Sequence, residues 1–140
     1  MALPDQDSAV GHSFGLELDD VDVRLLDVEG LVLSIFGLER STVDVATTTP
    51  RATRRAVTVV RPLSRERTFA QWAHRVEAEG VEAARRRATI VVFAVDGRPV
   101  ARYHLEHAWP SKLEVGSLTS GDSRVVVEKL TLTYEDVAVE

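Results

Sequence analysis

The chain has 140 residues, 44% of them hydrophobic and 28% charged, with a formal net charge of −5 and no cysteine. That length and composition suit one globular domain around a single core, and the missing cysteines exclude disulfide scaffolds, thiolate zinc sites and cysteine nucleophiles. Charge is segregated: residues 1–44 hold ten acids and two arginines (net −8), residues 51–87 ten arginines and four acids (net +6), and residues 88–140 five bases and eight acids (net −3).

In chain order, residues 1–12 read as a flexible arm. The start "MALPDQDSAVGHS" has neither the basic nor the apolar region of a signal peptide. No apolar run approaches the roughly 20 residues of a membrane span, so synthesis and assembly in the cytoplasm are expected. In "SFGLELD", Phe14, Leu16 and Leu18 alternate with Gly15, Glu17 and Asp19, the period of a half-buried strand. Asp19-Asp20 can turn the chain into a second strand, "VDVRLL", and "GLVLSIF" is a third, densely apolar. Residues 39–56 are polar and broken by Pro50, a long loop or extended hairpin of the kind that often carries function. "AVTVVRP" resumes strand character up to Pro62.

One helix follows. In "SRERTFAQWAHRVEAEG", Phe69, Trp72, Ala73 and Val76 fall at i, i+3, i+4 and i+7, one apolar stripe. Ser64 is its expected N-cap and Gly80 its stop, with His74 off the stripe. The run Arg85–Arg87 reads as a solvated boundary before the next strand. Acidic flanks would repel phosphate, so the arginines are a weak case for nucleic acid. "TIVVFAV" and "PVARYHLEHAW" flank Asp96-Gly97, the sequence of a type I′ hairpin turn. "LEVGSL", a turn at residues 119–123 and a long strand "RVVVEKLTLTYEDV" end the chain. The pattern is a β-rich single domain over residues 1–140 with one helix.

The stretch "RYHLEHAWP" holds two histidines three residues apart. On a strand, Tyr103, Leu105, His107 and Trp109 point one way and Arg102, His104 and Glu106 the other, so the histidines cannot share a metal. Leu130, Leu132 and Tyr134 alternate in the same way with Lys129, Thr131 and Thr133. Two long strands therefore present one apolar and one evenly polar face. Periodicity leaves open whether that polar face meets bulk water or lines an enclosed space. Phosphate-binding glycine loops and the G-x-S-x-G elbow are absent, and no catalytic, metal-binding or cofactor-binding set emerges.

Residues 101–112, "ARYHLEHAWPSK", resemble the tail-tube (inner tube) proteins of contractile phage tails and extracellular contractile injection systems. The likeness rests on Ala101, Arg102, Tyr103, Leu105, Ala108, Trp109, Pro110 and Lys112, and extends to "VEGL" at 28–31 and to residues 57–76. The resemblance implies a β-rich α+β fold: two packed antiparallel β-sheets, barrel- or sandwich-like, with one α-helix, as in Hcp. It implies a structural, non-enzymatic subunit in hexameric rings stacked head to tail. Sheath, baseplate and cap proteins are the implied partners, with cargo in the lumen and nucleic acid only in a phage tail. Such stacking is a heterologous interface, which suits segregated charge. Arg102, His104, Glu106, Lys129, Thr131 and Thr133 become candidate lumen-facing residues, and Trp109 and Pro110 the motif core that ends the strand. Residues 39–56 depart from the family's glycine-containing loop, and within them Arg40, Asp44, Arg51, Arg54 and Arg55 are candidate inter-ring residues. The alternatives are a tube initiator at the baseplate and a monomeric small-ligand-binding β-barrel.

Overall fold

The computed structural model describes residues 13–19, 21–31 and 55–140. Three short strands come first: β1 (Ser13–Leu18), β2 (Val21–Leu25) and β3 (Asp27–Glu29). After them lie β4 (Arg55–Pro62), helix α1 (Thr68–Glu79), the single turn α2 (Val81–Ala84) and β5 (Arg86–Phe93). The chain closes with β6 (Pro99–Ser120), β7 (Ser123–Tyr134) and β8 (Asp136–Val139). The 1–12 arm and most of the 39–56 segment, with Arg40, Asp44, Arg51 and Arg54, lie outside the described residues, as does most of the apolar "GLVLSIF" stretch.

All pairings are antiparallel, in the order β2-β1-β5-β6-β7-β4-β3, with β8 added to β6. The 22-residue β6 organises the molecule. Its first half pairs with β5 and β8, its second half with β7. One open sheet is thus folded over on itself along β6, and the core lies between the halves. Leu16, Ile90 and Leu105 from one half meet Val57, Val59, Leu130 and Leu132 from the other, all fully buried. The alternations of β1, β2 and β7 set which side faces in, as their sequences predict. The β2 and β3 edges that leave the sheet open are consecutive in the chain, and the Leu26 N–H between them donates to the Val60 carbonyl at 2.6 Å.

Helix α1 buries Thr68, Phe69 and Trp72, while Val76 packs against the core and His74 is exposed. Gly80, at φ +94°, ends it as expected, with its N–H on the Val76 carbonyl. Its start differs from the sequence expectation. Ser64 accepts the Glu66 N–H at 3.2 Å in a turn ahead of the helix, and the Glu66 carboxylate accepts the Thr68 N–H at 3.1 Å. The carboxylate has the longer reach, so it serves the first turn that the hydroxyl, four residues upstream, does not touch.

The Arg85–Arg87 run is a solvated boundary only at Arg87, which is exposed; Arg85 and Arg86 are half-buried. Arg86 stacks its guanidinium 4.7 Å from the Trp72 ring centroid, and its Nε is buried without a hydrogen-bond partner. Arg85 bridges Glu82 and Glu135. Trp72 Nε1–H donates to the Ala84 carbonyl at 2.8 Å, fixing α2 beside α1.

The β5–β6 hairpin forms where Asp96-Gly97 predicts it, with a different turn. The Gly97 N–H donates to the Ala94 carbonyl and the Ala94 N–H to the Arg98 carbonyl, both at 2.8 Å. Of the two turn residues only Gly97 has positive φ, +91°. This is a type I turn closed by a left-handed glycine, not a type I′ turn. Gly97→Ala should therefore destabilise the fold by about 1–2 kcal/mol, the cost of a Cβ in that region, measured by urea denaturation.

Two irregularities re-aim β6. Arg86 pairs with Ala108 and Ala88 with Leu105, so Glu106 and His107 together face Arg87. His107 adopts φ +54°, the signature of a bulge. Inward positions shift there from Leu105 to Ala108 and Pro110, and His107 and Trp109 do not share the inward face of Leu105. A second break, between Pro110 and Lys112, returns Leu113 to the core side. Trp109 and Pro110 thus do not end the strand. A bulge dispenses with a ladder donor, so proline is tolerated and β6 runs on to Ser120. Beyond the core the β6–β7 hairpin projects as a two-stranded ribbon with Val115, Leu118, Val125 and Val126 exposed.

Candidate functional site

The side of the sheet opposite the core carries the residues that alternation marks as polar, on two halves whose outward sides face away from each other. On the half built from β1, β5, β6 and β8, Arg102 Nη1 donates to both oxygens of Glu17, at 2.9 and 3.0 Å. Arg87 meets Glu106 at 2.8 Å. His104 sits between two elements, its Nδ1 2.8 Å from the Thr89 hydroxyl and its Nε2 2.5 Å from a Glu140 carboxylate oxygen. The hydrogen bond from His104 holds the Glu140 carboxyl below the usual carboxylate range.

The other half carries hydroxyls. Thr58 and Thr131 join at 3.0 Å across β4 and β7, Thr133 donates to the Ser111 hydroxyl at 2.9 Å, and Ser111 donates to the Thr131 carbonyl at 3.3 Å. Lys129 stands opposite Glu114, which Lys112 approaches to 3.4 Å. The six candidate lumen residues are thus divided between the outward sides of the two halves, Arg102, His104 and Glu106 on one and Lys129, Thr131 and Thr133 on the other, where Thr133 is buried.

Chemically this is a balanced surface. Arg87, Arg102 and His104 each have a carboxylate within contact, so no charge of one sign is left concentrated to hold a passing molecule. His104 and His107 do not converge. His107 takes Glu135 at 3.2 Å instead. Among the described residues no three histidine, cysteine, aspartate or glutamate side chains come together in a metal-holding group. Arg55, the described member of the candidate inter-ring set, lies in β4 and donates to the Glu135 carbonyl at 3.0 Å.

The partners Glu17, Arg87, Thr89 and Glu140 escape sequence reasoning. Glu17 lies 85 residues from Arg102, and only the β1–β5–β6 register brings them together. The usable signal is that Glu17 and Thr89 also occupy the polar phase of their own strands.

A protein-family model described as T4-like virus tail tube protein gp19 matches residues 10–138. The chain belongs to this tail tube family. No curated protein sequence matches it. The fold is similar to that in the sheath-tube complex of an extracellular contractile injection system, PVC, in its extended state, at 14% identity. That match has a TM-score of 0.64 and covers 91% of this chain and 87% of the other. It is also similar to a chain in the six-fold symmetrised baseplate of the anti-feeding prophage, at 14% identity and TM-score 0.61, covering 100% and 97%. Hcp1 from Flavobacterium johnsoniae shares 11% identity with a TM-score of 0.61, covering 91% and 94%. The tail-tube family and the β-rich Hcp-like fold expected from "ARYHLEHAWPSK" are thus both found. Among the described residues no helix is long and apolar enough to cross a membrane.

Proposed function

We propose that this chain is a structural, non-catalytic inner-tube subunit of a contractile tail or injection particle, assembling into six-membered rings that stack head to tail. The tail tube family match over residues 10–138 carries this reading. The six-fold symmetrised baseplate among the similar structures supports the ring number. Sheath and baseplate proteins are the partners in keeping with the complexes in which its neighbours are found, and a cap protein with another.

In this reading the outward polar surface, with Arg102, His104 and Glu106 on one half and Lys129, Thr131 and Thr133 on the other, supplies the channel lining. Its neutralised charges and internally bonded hydroxyls offer cargo little to bind, which suits a conduit. Arg40, Asp44, Arg51, Arg54 and Arg55 belong to the segment that meets the neighbouring ring. Assembly takes place in the cytoplasm.

Negative-stain electron microscopy of the purified, concentrated chain tests the proposal. Rings or tubes with an open channel are expected. Rings that never stack would favour a tube initiator at the baseplate, the second reading that the full-length baseplate match supports. Monomers confirmed by light scattering at high concentration, and unchanged by added sheath and baseplate proteins, would overturn it.

A further inference from the structure

The two histidines of "HLEH" face different ways, yet both engage carboxylates that bracket one strand. His107 Nδ1 lies 3.2 Å from Glu135, the residue before β8, and His104 Nε2 lies 2.5 Å from Glu140, the residue after it. Among the described residues β8 has little else to hold it. It is four residues long, only Val137 of it is partly buried, and it pairs with a single strand, β6, from Tyr103 to Glu106. We propose that β8 is a pH-sensitive latch, closed at mildly acidic pH by charged His104 on Glu140 and loosened as His104 loses its proton.

The two ends of β8 are not equivalent. Glu135 also receives Arg85, and its backbone carbonyl accepts from Arg55. Its N–H donates to the Glu106 carbonyl at 3.0 Å. Guanidinium groups keep their charge at every physiological pH, so this end stays pinned whatever the state of His107. At the far end Glu140 has backbone bonds with Arg102, at 2.9 and 3.4 Å, and the imidazole of His104. The latch therefore hinges at Glu135 and frays from Glu140.

The groups around His104 are carboxylates, guanidiniums and a hydroxyl. From β5 come the Thr89 hydroxyl and Arg87, the latter paired with Glu106. From β6 itself comes Arg102, paired with Glu17 of β1, and Asp136 of β8 stands opposite Glu106. Carboxylates and guanidiniums as classes hold their charge between pH 5 and 8, whereas imidazole as a class changes it there. Protonated, both ring nitrogens donate, one to Thr89 and one to Glu140. Neutral, the ring keeps hydrogen bonds and loses the attraction.

The sign on the acid side is opposite. His104 lowers the Glu140 pKa, so the contact is present above the ordinary glutamate range and is lost as pH falls through that lowered value. The latch is thus tightest at mildly acidic pH, above the range in which Glu140 takes up its proton. Opening uncovers the edge of β6 at Tyr103–Glu106, and a bare edge accepts another strand. None of this depends on the tube reading, because every contact lies within one chain.

Hydrogen exchange of the full chain, read by mass spectrometry and corrected for intrinsic rates, tests the latch. Protection of a peptide covering 137–140 should be about threefold higher at pH 5.5 than at pH 8, the effect of one exposed ion pair, with residues 130–134 unchanged. In H104Q the two pH values should give the same protection in 137–140. E140Q should do likewise, and it carries the test alone if H104Q does not fold. Equal protection at both pH values in the wild type, or a pH ratio that survives both substitutions, would overturn the proposal.

Discussion

Glu128→Ala is expected to destabilise the fold by about 3 kcal/mol, read as a lower urea midpoint at unchanged slope. Arg61 and Glu128 face each other across β4 and β7 on the core side of the sheet, both at least 95% buried, with Nε 2.9 Å from Oε1. The guanidinium also reaches the half-exposed Glu66 carboxylate and its carbonyl, and lies 4.4 Å from the Phe69 ring centroid. Removing Glu128 leaves a cation in an apolar setting with only Glu66 to offset it. That remaining partner puts the expected loss at the low end of the usual range for a broken buried pair.

The double variant Arg61→Met with Glu128→Leu should cost far less, within about 1 kcal/mol of wild type, because two apolar residues of similar volume need no desolvation. Equal losses from the single and double variants would show that packing, not the stranded charge, governs the site. Arg61 in turn ties β4 to the segment entering α1 through Glu66, so E128A, which frees the guanidinium on one side, should also loosen the helix. Faster exchange in a peptide covering 66–72 would report it.

Trp72→Ala is the second large effect, a loss of about 4 kcal/mol, the usual range for a buried aromatic side chain. Three contacts vanish together: the buried indole against the core, the Nε1–H bond to the Ala84 carbonyl, and the ring face under Arg86. Among the described residues the buried Nε of Arg86 has no hydrogen-bond partner, and the guanidinium is offset by the Trp72 ring face and by Asp19 at 3.6 Å. Trp72→Phe keeps a ring beneath Arg86 and loses the indole donor, and should cost about half as much. Calorimetric melting of the two variants checks this. If W72F fell as far as W72A, the Ala84 bond rather than the ring would anchor α2.

Local patterns carried much of this protein. Two-residue alternation in "SFGLELD", "VDVRLL" and "KLTLTY" marks strands and their inner faces, because side chains on a strand must alternate and one side must leave water. The stripe Phe69, Trp72, Val76 marks a helix for the analogous reason at period 3.6. Glycine at 80 and 97 marks chain reversals, since only glycine enters the left-handed region without cost. The polar faces of β6 and β7, and with them the candidate site, are legible in the alternation of residue types alone.

What escaped is what depends on contacts distant in sequence. Nothing local announces the bulge at His107, which exists because β5 and β6 must stay paired while the sheet folds over. It reverses the phase from Ala108 to Pro110, until the second break restores it, so Trp109 left the inward set and Pro110 joined it. The burial of Arg61 and of the Arg86 Nε is equally non-local: a guanidinium goes inside only where carboxylates or aromatic rings from other elements meet it. Sequence alone determined the alternating strands β1, β2 and β7, the helix, the residue types of the polar faces and the family. Tertiary pairing decided which charges neutralise one another, and why two histidines in one short motif serve opposite ends of the last strand.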